Sequence, residues 1–464
     1  MQVSNKGRKL VFTALCMGFF MVILDVTIVN VALPTIAQYF KTTLAGLQWI
    51  VDGYTLTFAG LLLLVGSLSD YLGAKKVFQF GLIAFAITSL ACALSPSISL
   101  LVFFRLLQGL AGALLLPSSL ALITELYQEA SQRASALGVW AALGGVACAS
   151  GPFLGGLLTS LVSWRMIFLV NVIIGMISFI FILSSPKVIK KNNSQRPKLD
   201  VPGQITGFAA ISLLAYGIIE ASIYGWTSPI IIFCLILSVF LLLSFLWIES
   251  RVEHPMLALS LFRNRMTAMA LLAGMILNLV FYGELFMIPF YFENFRHYSV
   301  FMTGLAILPL PGLALIGSYL GGKLTGKIGP AKITFTGLLI AAIGFFALMA
   351  LDQTSPHYLW IMIPFLAIGF GVSFTTPAMT FAAIHSVEQE RTGIASGVLN
   401  MANQMGSLIG VAVFGSIAAS TENFILALHI TLFFSGILFV FTATLSVLLL
   451  RNSERTIFSL ISVN

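Results

Sequence analysis

Three ionisable side chains stand in stretches otherwise apolar: Asp25, Arg105 and Glu284. A charge inside hydrocarbon costs about 2.5–3.5 kcal/mol on insertion scales, so each needs a compensating partner or a task. Asp25 lies 8 residues before Leu33, Arg105 lies 7 after Ile98 and Glu284 lies 7 before Tyr291. At the helical rise per residue these separations place all three about 10–12 Å below one membrane face. An Asp facing an Arg forms an ion pair, and a carboxyl reached by water can exchange a proton or hold a cation. Asp25 and Glu284 are therefore expected to line one central cavity, taking up a proton or a cationic substrate, with Arg105 tuning Asp25. Asp25 and Arg105 can equally serve as an ion pair locking two helices, and Glu284 as a residue near the outer interface. Asp52 and Glu220 lie closer to span ends and read as interfacial.

The elements that must hold these groups follow from composition. The 464 residues are 59% hydrophobic and 9% charged, against roughly 25% charged in ordinary soluble domains. About 20 apolar residues cross a bilayer. Spans read at 10–33, 46–68, 77–95, 98–124, 133–158, 164–183, 203–223, 228–248, 267–291, 301–321, 333–350, 358–382, 393–419 and 428–450. Soluble enzymes, nucleic-acid binders and disulfide scaffolds are excluded by this pattern. Of the 24 Lys and Arg residues, all but Lys41, Arg165, Arg296 and the intramembrane Arg105 fall at one side if the N-terminus is cytoplasmic. The positive-inside rule then puts both termini in the cytoplasm, which requires an even span number. The first apolar stretch is too long for a cleaved signal and contains Asp25, so it reads as a retained span. Cys16, Cys92, Cys148 and Cys234 lack metal or redox spacing and read as small packing residues. The polar stretch 184–203 reads as a cytoplasmic linker.

An internal repeat is visible. Gly66-x-Leu68 through Gly73 ends on Lys75 and Lys76, and Gly322-x-Leu324 through Gly329 ends on Lys332. The two frames begin 256 residues apart (322 minus 66) and eight spans apart, so two spans beyond a six-plus-six duplication lie between them. The expected organisation is a six-helix bundle over 1–183, a linker with two additional transmembrane helices over 184–266, and a second six-helix bundle over 267–464. In the fourth span Arg105, Gln108, Gly109 and Gly112 fall on one helix face. Glycines there, and Gly144, Gly145, Gly151, Gly155 and Gly156 around Pro152 in the fifth, let neighbouring backbones approach closely. The resulting surface can slide or be a static packed pair. Asn30, Gln108, Asn278, Asn400 and Gln404 are candidate cavity-lining hydrogen-bonding groups, or polar contacts between helices.

These residues together resemble the major facilitator superfamily, in its fourteen-span drug:proton antiporter branch. Leu24-Asp25 through Asn30 to Pro34 is similar to that branch's first-span motif. Gly66 to Lys76 is similar to the superfamily's cytoplasmic loop motif, Leu101 to Ala113 to the fourth-span motif, and Gly138 to Gly156 to the fifth-span antiporter motif, with Ala147 where a glycine is usual. Glu253-His254-Pro255-Met256 and Ser260 to Asn264 resemble the segment after the eighth span. The resemblance implies an all-α major facilitator fold of two six-helix bundles plus two extra helices. It also implies a proton-coupled multidrug exporter of a bacterial inner membrane, working by alternating access. The substrate would be a small molecule, lipophilic and often cationic, and 39 Phe and 16 Met supply adaptable walls for it. It implies that Gly66, Asp70, Gly73 and Lys75 latch the inner gate, while Gly326 stands where the second half would carry Asp. No cofactor, metal, nucleic acid or catalytic cluster is expected. The energy source would be the proton gradient, since Ile328 stands where a phosphate loop needs Ser or Thr after Lys327. A monomer suffices on this reading. The alternative on the same scaffold is a dedicated transporter of one endogenous metabolite, such as a siderophore.

Overall fold

The computed structural model describes residues 5–183, 200–252, 255–350, 357–387 and 392–461; the side chains of Asn5, Lys6, Leu63, Ser67, Asp70, Ala130, Gly393 and residues 450–461 are outside that description. The linker segment 184–199 and the Glu253-His254 motif therefore lie outside the described residues, as does the Asp70 side chain. The described chain is helical: α1 (Asn5–Phe40), α2 (Leu44–Leu72), α3 (Ala74–Ala93), α4 (Ile98–Leu126), α5 (Ala130–Leu161), α6 (Met166–Leu183), α7 (Val201–Tyr224), α8 (Pro229–Glu249) and α9 (Arg265–Phe290) come first. After a π-helical turn at Tyr291–Phe295 follow α10 (Val300–Ile307), α11 (Pro309–Gly312), α12 (Ala314–Ile328), α13 (Pro330–Leu348), α14 (Leu359–His385), α15 (Thr392–Ser420) and α16 (Phe424–Ile461).

Thirteen of these stretches are long and apolar enough to cross a membrane. α2, 29 residues long, is a further helix of similar length. Starts are set by side-chain caps: Thr43 accepts from the Gly46 amide, Ser97 from Leu100 and Ser299 from Met302. The tenth expected span, read as one run over 301–321, is instead three consecutive pieces reaching Ile328. Pro309 and Pro311 lack the amide hydrogen a continuous helix needs, so the chain restarts twice. By contrast α1 runs through Pro34, and α5 through Pro152, as single helices. The repeated loops share one backbone device. Gly73 and Gly329 each end one helix and start the next at φ 90°, a conformation that L side chains rarely adopt.

Helices α1 to α6 pack on one another, as do α9 to α16, while α8 packs on α7. The two groups meet along α2 and α15, α5 and α10, and α1 and α9. One apolar core runs through both groups at the end where α1 finishes, joining Ile28, Leu33 and Ile50 to Leu277, Phe286, Ile307 and Val411. Towards the termini the core divides into separate clusters, one around Phe78 and Leu115, the other around Met269 and Ala382. The Phe40 end is thus sealed and the end bearing the termini is parted. There a Cβ on Gly66, Gly138 or Gly326 would meet nothing within 4 Å. Outward faces are apolar, as on α8, where Phe233, Ile236, Phe240 and Trp247 are exposed.

Candidate functional site

Five helices of the first group converge on one dry polar knot. α1 brings Asp25 and α4 brings Arg105, whose Nη1 lies 2.5 Å from Asp25 Oδ2, both side chains essentially inaccessible. The fourth-span spacing puts Gln108 one turn on, where its Oε1 accepts from Arg105 Nη1 at 2.9 Å and its Nε2 donates to Asp25 Oδ1 at 3.1 Å. Asn171 on α6 donates to the same Oδ1 at 2.7 Å, and Ser89 on α3 accepts from Gln108 at 2.9 Å. α2 completes the shell: the Ile50 carbonyl accepts from Arg105 Nε at 2.9 Å, and the Tyr54 ring lies 4.4 Å from the guanidinium carbon. Every charge and most lone pairs are satisfied here, which is what a buried ion pair requires to be tolerated.

Close helix approach makes the knot possible. A Cβ on Gly109 or Gly112 would collide with Tyr54 of α2, and one on Gly151 or Gly155 with Thr27 or Ile28 of α1. Gly109, Gly112, Gly151 and Gly155 therefore sit at helix crossings, with Pro152 buried among them, whereas Gly138 lies in open space. Gly156 faces the other group: its Cβ would lie 2.8 Å from the Val300 carbonyl oxygen. Gly304 reciprocates against the Pro152 carbonyl, so backbone meets backbone where α5 crosses α10. On the other seam Gln48 of α2 donates to the Val411 and Ala412 carbonyls of α15 at 3.1 and 2.8 Å. These two contacts shut the Phe40 end.

Asp25 and Arg105 are brought together as expected, but Glu284 is not brought to them. It is 1% exposed, and its Oε1 accepts from Ser435 of α16 at 2.9 Å, inside the second group. Helix azimuth, which depth arithmetic does not contain, turns it away, so the shared cavity lined by both carboxylates is not found in this conformation. Asn30 is buried, donates to the Val26 carbonyl, and leaves Oδ1 without a partner. Asn278, Asn400 and Gln404 are half-buried on α9 and α15, the first two donating to carbonyls of their own helices. Gly66, Gly73 and Lys75 lie at the parted end, and a latch through Asp70 involves a side chain outside the described residues.

One expectation needs correction. Asp52, read as interfacial, is fully buried on α2, with both carboxylate oxygens lacking any hydrogen-bond partner. Glu220 is half-buried and accepts from Trp49 Nε1 at 2.8 Å, tying α7 to α2. Asn171 and Ser89 were not among the expected residues, although Asn171 is the one amide in α6, whose other polar side chain is Ser178. Cys16, Cys92 and Cys234 are buried free thiols, as packing residues would be. Among the described residues no group of His, Cys, Asp and Glu could hold a metal.

The chain matches the sequence profile described as Major Facilitator Superfamily over residues 15–411. It is 34% identical to a methylenomycin A resistance protein of Bacillus subtilis, covering 88% of this chain and 87% of that one. Identity to the multidrug resistance protein Stp of Mycobacterium tuberculosis is also 34%, over 92% and 79%. Among solved structures, a bacterial homolog to the human lysosomal transporter Spinster, in an inward-facing and unoccupied conformation, superposes with a TM-score of 0.68 at 17% identity, covering 97% of this chain and 98% of that one.

Proposed function

The chain belongs to the Major Facilitator Superfamily and is a membrane transporter rather than an enzyme; from that premise we propose that it exports lipophilic, often cationic, drugs in exchange for protons. The observation that carries the reading is similarity over most of both chains to proteins named for resistance to methylenomycin A and to multiple drugs. α2 counted with the thirteen other candidates makes fourteen spans, arranged as six, two and six. The basic residues favour termini on the cytoplasmic side of a bacterial inner membrane. With that orientation the sealed Phe40 end faces outward, and the parted end opens to the cytoplasm, where substrate is collected. A single chain carries both groups, so a monomer suffices, and the scheme calls for no cofactor.

Proton handling falls to carboxyls that lose and gain water access as the seams exchange. Asp52 stands in α2, the helix that meets α15, and Glu284 in α9, the helix that meets α1. Each has at least one buried oxygen with no partner, the state a neutral carboxylic acid tolerates far better than an ion. Opening the outer seams would wet them for proton uptake, and reopening inward would release the proton as the next substrate binds. Asp25 with Arg105 would set the field within the first group and hold its helices together. For an uncharged cargo, the 2.3 kcal/mol gained per proton per 100 mV supports roughly a fifty-fold gradient, whereas a monovalent cation exchanged for one proton draws on the pH difference alone. Efflux of ethidium from cells making the protein tests this: export that stops with a protonophore supports the reading. Export that persists without a proton gradient, or transport limited to one metabolite with no dye movement, overturns it.

A further inference from the structure

The hairpin of α7 and α8 is almost free of charge. Glu220 stands near the outer end of α7, Glu249 is the last residue of α8, and Asp200 precedes α7 as its N-cap. Asp200 and Glu249 meet at the end bearing the termini, where they are 4% and 3% exposed. Each carboxyl commits one oxygen to the backbone. Asp200 Oδ1 accepts from the Gly203 amide at 2.9 Å, and Glu249 Oε2 from the Leu257 amide at 3.0 Å. The other two oxygens, Asp200 Oδ2 and Glu249 Oε1, are buried without a partner. Both point at one spot: a Cβ on Gly203 would lie 2.5 Å from the first and 2.9 Å from the second. The oxygens are therefore at most 5.4 Å apart (2.5 plus 2.9), and the two side chains are within hydrogen-bonding reach of each other.

Two ionised carboxylates are costly in such a place, because neither can donate to the other and their charges repel. One proton between them removes both penalties, since the neutral acid donates to the facing carboxylate. Among the described residues neither carboxyl has an ion-pair partner. Arg251 lies over the Trp247 ring, Arg263 and Arg265 pair with neither, and α15 carries no charged residue. On α2, Asp52 and Tyr54 lie toward the sealed end, Tyr71 is exposed, and the Asp70 side chain is outside the described residues. The remaining titratable groups of α7, Tyr216, Glu220 and Tyr224, lie toward its far end.

The pair also joins parts that belong to different groups. Gln204, next to Gly203, bonds the Gly60 carbonyl of α2, which ties this end of α7 to the first group. Leu257 belongs to the second group, buried in the cluster of Met269, Ala382 and Ala395. Asp200 and Glu249 thus connect the two where their apolar cores have divided.

We propose that Asp200 and Glu249 share one proton and form a pH-dependent clasp at the parted end, closed in acid and released when the proton is lost. The sign follows from linkage: the proton is held only while the carboxyls face each other, so its stabilisation is present at low pH and lost as pH rises. On the orientation proposed above, the clasp reads the cytoplasmic side. It goes beyond the export reading and does not depend on the cargo.

Hydrogen–deuterium exchange of the full chain in lipid nanodiscs at about pH 6 and about pH 9, corrected for the intrinsic pH dependence of exchange, tests the clasp. The readouts are the peptides holding the Gly203 and Leu257 amides, with α3 as the reference. In the wild type both should exchange at least about fivefold faster at the higher pH while α3 is unchanged. Glu249→Gln gives Asp200 a permanent donor and keeps an acceptor for Leu257, so exchange should stay slow at both pH values. Gly203→Ala sets a methyl against both oxygens, so exchange should be fast at both. Wild-type exchange that ignores pH, a wild-type response in Glu249→Gln, or slow exchange in Gly203→Ala overturns the clasp. Protection at the higher pH that requires Mg2+ or Ca2+ and vanishes with a chelator assigns the pair to a cation and also overturns it. Should Glu249→Gln fail to fold, Asp200→Asn supplies the donor from the other side: slow exchange at both pH values supports the clasp, and a wild-type response overturns it.

Discussion

Asp25→Asn removes the charge facing Arg105 while keeping the shape of the side chain. The guanidinium retains the Ile50 carbonyl and Gln108 Oε1, each at 2.9 Å, and the Tyr54 ring at 4.4 Å. Breaking a buried pair costs about 3–5 kcal/mol, and these residual partners place Asp25→Asn near the lower limit, about 3 kcal/mol. Arg105→Met leaves Asp25 with the Gln108 and Asn171 amides but no cation, at a similar or higher cost. The double variant strands neither charge, so its loss should fall at least about 2 kcal/mol short of the sum of the singles. A unit of 150–250 residues moves about 2–4 °C per kcal/mol, so Asp25→Asn should unfold about 6–12 °C below wild type. Thermal unfolding of the purified, detergent-solubilised proteins measures all four corners of the cycle. Additive losses, or an Arg105→Met chain as stable as wild type, would refute the view that this pair holds the first helix group together. Dye transport by the double variant then separates holding from coupling: a stable, proton-driven double variant removes the pair from the transport mechanism.

Other outcomes follow from neighbouring contacts. Asp52→Asn keeps an uncharged group in an unpartnered site, so thermal stability should stay within about 1 kcal/mol of wild type; efflux driven by an imposed pH gradient should fall at least tenfold, and unchanged gradient-driven efflux would free Asp52 from proton handling. Gly304→Leu drives a side chain into the Pro152 carbonyl across the outer seam. A cysteine placed near that seam should become reactive to impermeant maleimide from outside while export drops at least tenfold; continued protection with normal export would contradict the closure described. Trp49→Phe deletes the hydrogen bond to Glu220 and should cost about 1 kcal/mol in unfolding experiments, whereas Glu220→Gln keeps an acceptor and should be close to neutral.

Hydropathy alone reaches far in a chain of this kind, because lipid imposes helices and their length on any apolar run. The 3.6-residue period also put Arg105 and Gln108 on one face, where they bond, and depth matching paired Asp25 with Arg105. What such reasoning lacks is rotation of one helix about its axis relative to the next. Glu284 has a similar calculated depth yet faces Ser435, and Asp52, near a span end by count, is buried because α15 and α7 pack around α2. Asn171 was within reach: a lone amide in Ile-, Leu- and Val-rich α6 must find a partner inside the protein. The breaks at Pro309 and Pro311 were likewise visible as residue types, but a buried proline that interrupts and one that is absorbed, as Pro152 is in α5, look alike in a sequence.

Gln48 grips carbonyl oxygens of α15, and side chains there contribute nothing to its two bonds. Every residue type offers that oxygen, so drift at positions 411 and 412 cannot delete the handhold; only bulk that pushes the rods apart can. The clasp is fixed on one partner and indifferent to chemistry on the other, which leaves the side chains of α15 free to vary without forfeiting closure.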